Sequence, residues 1–152
     1  MSYTIKLKVV NNTSDMLTVV EKTCWYYANG GTWTEQGNNH ILFMSGSGTS
    51  GMLRFRTSAG ETFGLAVGIH NYKRWCDLVV DLNDNDTAMK LHPTYYSDSG
   101  SRRRMLWNQL SKITKYTPKA RALRINFLLG EGNELLAEFT YDEQKPLASR
   151  TM

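Results

Sequence analysis

The chain contains little cysteine and histidine and no long apolar run, and each shortage excludes a class of protein. Two cysteines, Cys24 and Cys76, among 152 residues are too few for a disulfide framework, and three histidines do not complete a zinc site. No apolar stretch approaches the roughly 20 residues of a transmembrane helix. The first residues lack the basic start and apolar run of a signal peptide. We therefore expect a cytoplasmic protein with no metal or other cofactor, whose cysteines are buried free thiols in strands.

The length and composition indicate one globular domain. A chain of 152 residues fits a single domain of common size, and 41% hydrophobic with 21% charged residues is a folded rather than a disordered composition. The net charge of +4 is unevenly spread, because residues 101–124 hold eight basic residues and no acidic one. Such a segment is most simply a solvated face, and the alternative is a patch that binds nucleic acid or an acidic membrane.

Alternating apolar and polar residues predict strands through most of the chain. The alternation is clear at Tyr3–Val9, Leu53–Arg56, Leu123–Leu129 and Leu135–Tyr141, and Phe63–Ile69 has the apolar pattern of a more deeply buried strand. Turns rich in glycine and asparagine separate these segments. Short strands with turns at this spacing predict a mainly β fold, an antiparallel β-sandwich.

Two segments depart from the strand pattern and are predicted to be short helices. They are Asp84–Met89 and Arg102–Lys112, and Pro93 between them requires a connecting loop. From Asp142 onward no periodicity remains. We therefore predict a single domain over residues 1–141 and a mobile tail over residues 142–152.

Motifs for catalysis are incomplete. Ser47, His70 and Asp77 include the residue types of a hydrolase triad, but no nucleophile elbow accompanies them. The glycine- and serine-rich run at residues 45–51 lacks the lysine that ends a phosphate-binding loop. These absences argue against an enzyme.

Binding of a sugar agrees better with the residues. Aromatic and hydrogen-bonding side chains stand together near glycine-rich loops, for example at Tyr26–Trp33 and His70–Trp75. A sugar needs fixed hydrogen-bond partners for its hydroxyls and an aromatic surface for its apolar face. The alternative is that most of the aromatic residues are core and strand residues.

Long blocks of the sequence resemble the fungal fruit-body lectin family, over about residues 2–141. The blocks Val20–Trp33, Gly46–Phe55 and Gly68–Asp77 match in order and spacing, and Tyr95–Ser97, Gln109–Ser111 and Glu131–Leu135 continue the match. The resemblance implies an actinoporin-like antiparallel β-sandwich with a helix–loop–helix connection. It also implies a homotetrameric agglutinin without catalysis or metal, which acts in defence by binding glycans.

The resemblance implies a primary site for the T-antigen disaccharide, galactose-β1,3-N-acetylgalactosamine. Asn71 and Ser47 would form hydrogen bonds with the ring hydroxyls. Backbone N–H groups near Ala28 and Gly48 would donate hydrogen bonds to the N-acetyl-bearing sugar. His70 and Tyr72 would flank the site or have only structural roles. The residues implied for this site are Ala28, Asn29, Gly30, Ser47, Gly48, His70, Asn71 and Tyr72.

A second site, for N-acetylglucosamine, is where the sequence departs from the family. Val80 stands where the family has threonine, and Ile113 where it has tyrosine, so two polar groups are lost. The family's arginine corresponds to Arg102 or Arg103. We therefore predict weak, absent or altered N-acetylglucosamine binding at this site. Its residues are Asp77, Leu78, Val80, Arg102, Arg103 and Ile113.

The sequence therefore predicts a multivalent carbohydrate-binding lectin whose partners are glycoproteins or glycolipids that carry the disaccharide. Contact with membranes is expected only through glycans. Two alternatives remain: a pore-forming protein of similar fold, which needs an amphipathic helix to insert into a membrane, and a nucleic-acid binder that uses the basic segment 102–124.

Overall fold

Ten strands and three short helical segments form the chain in a computed structural model that describes residues 1–25, 31–98 and 100–143. The strands are β1 (Tyr3–Asn11), β2 (Leu17–Trp25), β3 (Gly31–Gln36), β4 (Asn39–Met44), β5 (Thr49–Thr57), β6 (Thr62–His70), β7 (Lys73–Val79), β8 (Lys112–Tyr116), β9 (Arg121–Leu129) and β10 (Glu134–Glu143). The helical segments are α1 (Ala88–Leu91), a 3₁₀ helix (His92–Tyr95) and α2 (Arg104–Asn108).

The strands form two sheets that enclose one main core. The six-stranded sheet has the order β3-β4-β1-β10-β9-β8, and the four-stranded sheet has the order β2-β5-β6-β7. This arrangement confirms the predicted β-sandwich. One pair differs from an antiparallel arrangement, because β1 and β10 run parallel. Strands from the two ends of the chain need no tight turn between them, so the connection does not fix their relative direction.

The core follows the alternation in the sequence. Ile5 and Leu7 point inward from β1, whereas Lys6 and Lys8 are exposed. Three phenylalanine rings meet between the sheets, with centroids 5.2 Å apart for Phe55 and Phe63 and 5.7 Å apart for Phe63 and Phe139. The strands predicted from alternation are thus confirmed.

Strand β6 is buried on both faces because two different layers cover it. Leu65 and Val67 belong to the core between the sheets. Ala66 belongs to a second cluster with Trp75, Tyr95 and Leu106, which lies under the helical segments. The helical connection therefore covers the outer face of the four-stranded sheet.

The first predicted helix begins later than expected. Asp84 and Asn85 form a turn closed by a hydrogen bond from Asp86 N to Asn83 O, and α1 begins at Ala88. The Thr87 side chain caps this helix by accepting a hydrogen bond from Lys90 N. The Glu21 carboxylate accepts hydrogen bonds from the N–H groups of Ala88 and Met89. The helix therefore starts where a hydroxyl and a carboxylate satisfy its free N–H groups.

The second predicted helix is shorter than Arg102–Lys112. It covers only Arg104–Asn108, because Gln109 has a left-handed backbone (φ +48°) and the chain then turns toward β8. Phe127 N donates to Ser111 O at 2.8 Å, and Lys112 already pairs with Asn126 of β9. The pairing of β8 with β9 therefore prevails over the helical pattern at residues 110–112.

The last strand extends beyond the predicted domain end at residue 141. Asp142 and Glu143 belong to β10 and pair with Ala122 and Arg121 of β9. Asp142 also accepts from Asn12 Nδ2 at 2.6 Å, which ties the strand to the loop after β1. The predicted tail from 144 to 152 lies outside the described residues.

Both cysteines are free, but only one is fully buried. Cys76 is in the core, and burial raises the pKa of its thiol to about 12. Cys24 is half-buried, which corrects the prediction for that residue, since β2 is an edge strand of its sheet. No helix among the described residues has the length and apolar character to cross a bilayer.

Candidate functional site

Two loops of the predicted primary site meet at one end of the sandwich. Ser47 and Gly48 lead into β5, and the Asn71–Tyr72 turn joins β6 to β7. Thr49 pairs with Ile69, so the start of β5 lies beside the end of β6. The other predicted residues, at positions 28–30, lie outside the described part of the chain.

The β6–β7 turn is a tight two-residue hairpin. His70 pairs with Lys73, and both turn residues have a left-handed backbone, with φ +49° for Asn71 and +68° for Tyr72. Asparagine adopts this conformation readily, but it is uncommon for tyrosine. Tyr72 N donates to Ser47 Oγ at 2.9 Å, so the turn is held against the neighbouring loop. The turn is therefore a fixed support that presents two exposed side chains.

The N–H group of Gly48 is already engaged within the protein. Its N–H donates to Ile69 O at 2.8 Å, so it is not free to bond a sugar. Its φ of +88° is strongly disfavoured for a residue with a side chain. Gly48 therefore shapes the loop, and Ser47 carries the hydrogen-bonding groups.

His70 joins this end of the sandwich to α2. Its carbonyl accepts from Gln109 Nε2 at 2.7 Å, and its ring meets the Trp107 ring edge-on at a centroid distance of 4.4 Å. Burial lowers the pKa of the His70 imidazole below its usual value, and the nearby Arg103 lowers it further. The imidazole is therefore neutral at pH 7 and acts as a packing surface for the tryptophan.

Trp107 is a residue that sequence reasoning missed. It is 57% exposed on α2 and contacts His70 beside the turn. The apolar residues Met105, Leu106 and Leu110 lead toward the core, and Trp107 does not share their face. A tryptophan outside the apolar face of a predicted helix was the available signal.

Most of the predicted second set lies at the end of β7 and on β8, whereas Arg103 lies close to His70 of the first site. Tyr95 OH donates to Asp77 Oδ2 at 2.7 Å, and Lys115 Nζ lies 3.9 Å from Asp77 Oδ1. Burial raises the pKa of Tyr95 well above its usual value, and the Asp77 carboxylate raises it further. The Asp77 side chain is almost completely buried, and this carboxylate is thus already occupied by two neighbours.

The other members of the second set offer few polar groups. The side chain of Leu78 lies in the core, and Val80 and Ile113 are half-buried against the same core. Arg102 is half-buried, and Arg103 is exposed and forms an ion pair with Asp98. Val80 and Ile113 therefore present apolar side chains at the two positions where the resemblance implies hydroxyl groups.

The candidate hydrolase residues are engaged in separate contacts. Ser47 accepts from the Tyr72 backbone, His70 packs on Trp107, and Asp77 bonds Tyr95. In the part of the chain that the structure describes, no hydrogen bond joins any two of the three, and no group of three or more His, Cys, Asp or Glu residues could hold a metal ion.

A family model described as fungal fruit body lectin matches residues 1–139. This chain belongs to the fungal fruit body lectin family. The match spans both sheets, the helical connection and most of β10. As a fungal fruit body lectin, the chain is a carbohydrate-binding protein.

Individual relatives agree with this assignment. Boletus edulis lectin is 41% identical over 143 residues, which cover 93% of this chain and 99% of the relative. The crystal structure of wild-type Xerocomus chrysenteron lectin has a TM-score of 0.89 at 40% identity and covers 93% of this chain and 100% of its own. A variant of the same lectin with three methionine substitutions has the same TM-score at 41% identity, covering 93% and 99%. The fold of this fruit body lectin is thus that of solved lectins along nearly its whole length.

Proposed function

We propose that this lectin binds galactose-β1,3-N-acetylgalactosamine at the loops around Ser47 and Asn71. The observation that carries the proposal is the hydrogen bond from Tyr72 N to Ser47 Oγ, since it brings the two loops together. The family resemblance adds residues 28–30 to this site. Asn71 and Ser47 are the side chains that would bond the sugar hydroxyls.

The chemistry of these side chains suits a sugar. The Asn71 amide has two donors and an acceptor, and it is exposed on a rigid turn. Ser47 uses acceptor capacity for the Tyr72 N–H and keeps its own O–H donor. Because the turn is held before the ligand arrives, binding loses little conformational entropy. Trp107 and Tyr72 supply aromatic surface beside these polar groups.

Strong binding to a glycan-bearing surface would come from the several sites of one homotetramer. Linked sites raise avidity by a factor on the order of 10² to 10⁴ when the target glycans are dense. We propose that such an oligomer agglutinates cells by binding their glycoproteins or glycolipids. We further propose that it is a cytoplasmic protein that defends the tissue producing it against animals that feed on that tissue.

The two alternatives lack support among the described residues. The first residues form β1, not an amphipathic helix. In the basic segment, Arg103, Lys115, Arg121 and Arg124 lie within ion-pair distance of carboxylates elsewhere in the chain. Much of the segment's charge is therefore compensated within the protein, which weakens a case for phosphate binding.

A glycan array with the purified protein tests the proposal. We expect the strongest signals on glycans that end in galactose-β1,3-N-acetylgalactosamine, with inhibition by the free disaccharide. Dye leakage from glycan-free liposomes and binding to DNA at low salt are measured in parallel. A blank for the disaccharide together with leakage or steeply salt-dependent DNA binding would replace the proposal with the corresponding alternative.

The second site should respond to restored polar groups. We expect weak N-acetylglucosamine binding in the natural protein, and a gain of about tenfold in the double variant Val80→Thr, Ile113→Tyr, because two hydrogen-bonding groups return. Calorimetric titration measures both affinities. The disaccharide affinity should be equal in the two proteins, and natural N-acetylglucosamine binding as tight as in the double variant would contradict the prediction.

A further inference from the structure

A separate cleft of about 260 Å³ lies next to the proposed disaccharide site. One wall comes from Tyr72, Lys73 and Arg74, at the β6–β7 turn and the start of β7. The opposite wall comes from residues 130–132, in the loop that joins β9 to β10. Its size is slightly below the range of about 300–1,000 Å³ of typical small-ligand pockets, which suits a single sugar ring.

The polar groups of the cleft are largely unpaired. In the part of the chain that the structure describes, Lys73 and Glu131 form no ion pair, and Arg74 has one hydrogen bond, from Nη1 to Gln109 O at 2.9 Å. The cleft therefore offers cationic donors on one wall and a carboxylate acceptor on the other. Neutral sugar hydroxyls both donate and accept, so they can use both walls.

Glycine residues flank Glu131 on both sides, so neither neighbour places a side chain in the cleft. Gly132 has a φ of +85°, and a side chain there would meet nothing within 4 Å. A side chain at Gly130 would come within 3.3 Å of Arg74 Nε. Glu131 is thus the only residue of this loop segment that contributes a side chain. Tyr72, which is 75% exposed, adds an aromatic surface to the opposite wall.

The cleft and the disaccharide site share one support. Asn71 belongs to the site, and Tyr72 borders both the site and the cleft; the two are consecutive residues of the turn that Ser47 holds. A glycan bound at Asn71 would therefore have the cleft within reach of its next sugar.

We propose that the cleft is a further monosaccharide subsite, so that the lectin recognises a neutral glycan of at least three sugars. The proposal rests on the proposed function, because the first two sugars would occupy the disaccharide site. Glu131 would accept hydrogen bonds from hydroxyls of the third sugar, and Lys73 would donate to it. A neutral sugar uses both walls, whereas an acidic sugar would pair with Lys73 and Arg74 but would leave the Glu131 carboxylate facing a like charge.

Calorimetric titration of four ligands tests the subsite. The probes are the free disaccharide, trisaccharides that extend it by one neutral hexose at the non-reducing or at the reducing end, and a trisaccharide extended by a carboxylate-bearing sugar. The natural protein is compared with Glu131→Gln and with Glu138→Gln, a matched control on β10 outside the cleft. We expect one neutral trisaccharide to bind about tenfold tighter than the disaccharide, and Glu131→Gln to reduce this gain to about threefold or less.

The disaccharide titration distinguishes failure of the subsite from failure of the proposed disaccharide binding. Equal disaccharide affinity in all three proteins, with the trisaccharide gain reduced only in Glu131→Gln, supports the subsite. Disaccharide binding with no gain from either neutral extension overturns the subsite and leaves the proposed function intact. The subsite is also overturned if the affinity gain of the neutral trisaccharide is unchanged in Glu131→Gln. It is likewise overturned if the acidic trisaccharide binds tighter than the disaccharide and Glu131→Gln increases this difference. Absence of disaccharide binding overturns both.

Discussion

Replacing Asn71 with glycine should weaken the affinity for galactose-β1,3-N-acetylgalactosamine by about 30- to 100-fold. The variant loses the side-chain amide, which the proposal places on the ring hydroxyls, and each unpaired buried group costs about 1–3 kcal/mol. Glycine accepts the left-handed backbone at this position, so the turn and its bond to Ser47 should survive. Isothermal titration of both proteins with the free disaccharide measures the change directly.

Asn38→Gly is the matched control for this substitution. Asn38 is also exposed in a turn, which joins β3 to β4. It lies before the start of β4, whereas the Ser47 loop of the site lies after the end of β4. We expect this control to bind like the natural protein. Near-equal affinity of Asn71→Gly and the natural protein, with intact thermal unfolding, would remove Asn71 from the site.

Lowering the pH from 7 to 4 should reduce the free energy of unfolding by about 3 kcal/mol through His92 alone. His92 is 2% exposed in the 3₁₀ helix, and burial lowers the pKa of its imidazole from 6.5 to about 4. Between these two values the unfolded chain takes up a proton that the folded chain does not. Stability is therefore full above pH 6.5 and falls as the pH decreases toward 4.

The contacts of His92 explain why the neutral form is favoured. Nδ1 lies 2.7 Å from Thr23 Oγ1, and Nε2 lies 2.8 Å from Ser50 Oγ. These hydroxyls satisfy both ring nitrogens of a neutral imidazole, and no carboxylate is among these hydrogen-bond partners to stabilise the cation. The ring thereby fastens the helical connection to strands β2 and β5.

Urea unfolding at pH 7, 5.5 and 4 measures this effect, with His92→Gln as the comparison. Glutamine keeps a donor and an acceptor but does not titrate. The free energy of unfolding of the variant should therefore fall by about 3 kcal/mol less than that of the natural protein between pH 7 and pH 4. The other histidines titrate equally in both proteins and cancel in the difference. Parallel stability curves for the two proteins would show that His92 does not titrate as described.

The strands could be predicted from the sequence because their burial alternates with their residues. Tyr3–Asn11 shows this best, since one face packs in the core and the other is solvated. Edge strands such as β3 were missed because they bury little and so show little contrast along the chain. The ends of α2 could not be predicted either, since Ser111 and Lys112 join the sheet through a pairing with β9 that is distant in sequence.

The candidate site could be predicted in part. Asn71 and Ser47 were named from the family blocks, and the structure brings their loops together. The use of the Gly48 N–H by Ile69 could not be foreseen, because it depends on the pairing of two strands. Trp107 and the cleft beside Glu131 were missed for the same reason: they arise where α2 and the β9–β10 loop approach a turn that lies far from both in the sequence.

The parallel pairing of β1 with β10 makes the first and last strands neighbours inside the six-stranded sheet. During synthesis, β1 therefore has no partner on that side until β10 has been made. Until then β3, β4 and β1 cannot join β9 and β8, and the apolar face of β1 has no complete core to enter. Folding of the six-stranded sheet is thus a late event that cannot be complete before β10 has been synthesised, and a shortened chain without β10 would expose an unpaired strand edge that is prone to aggregate.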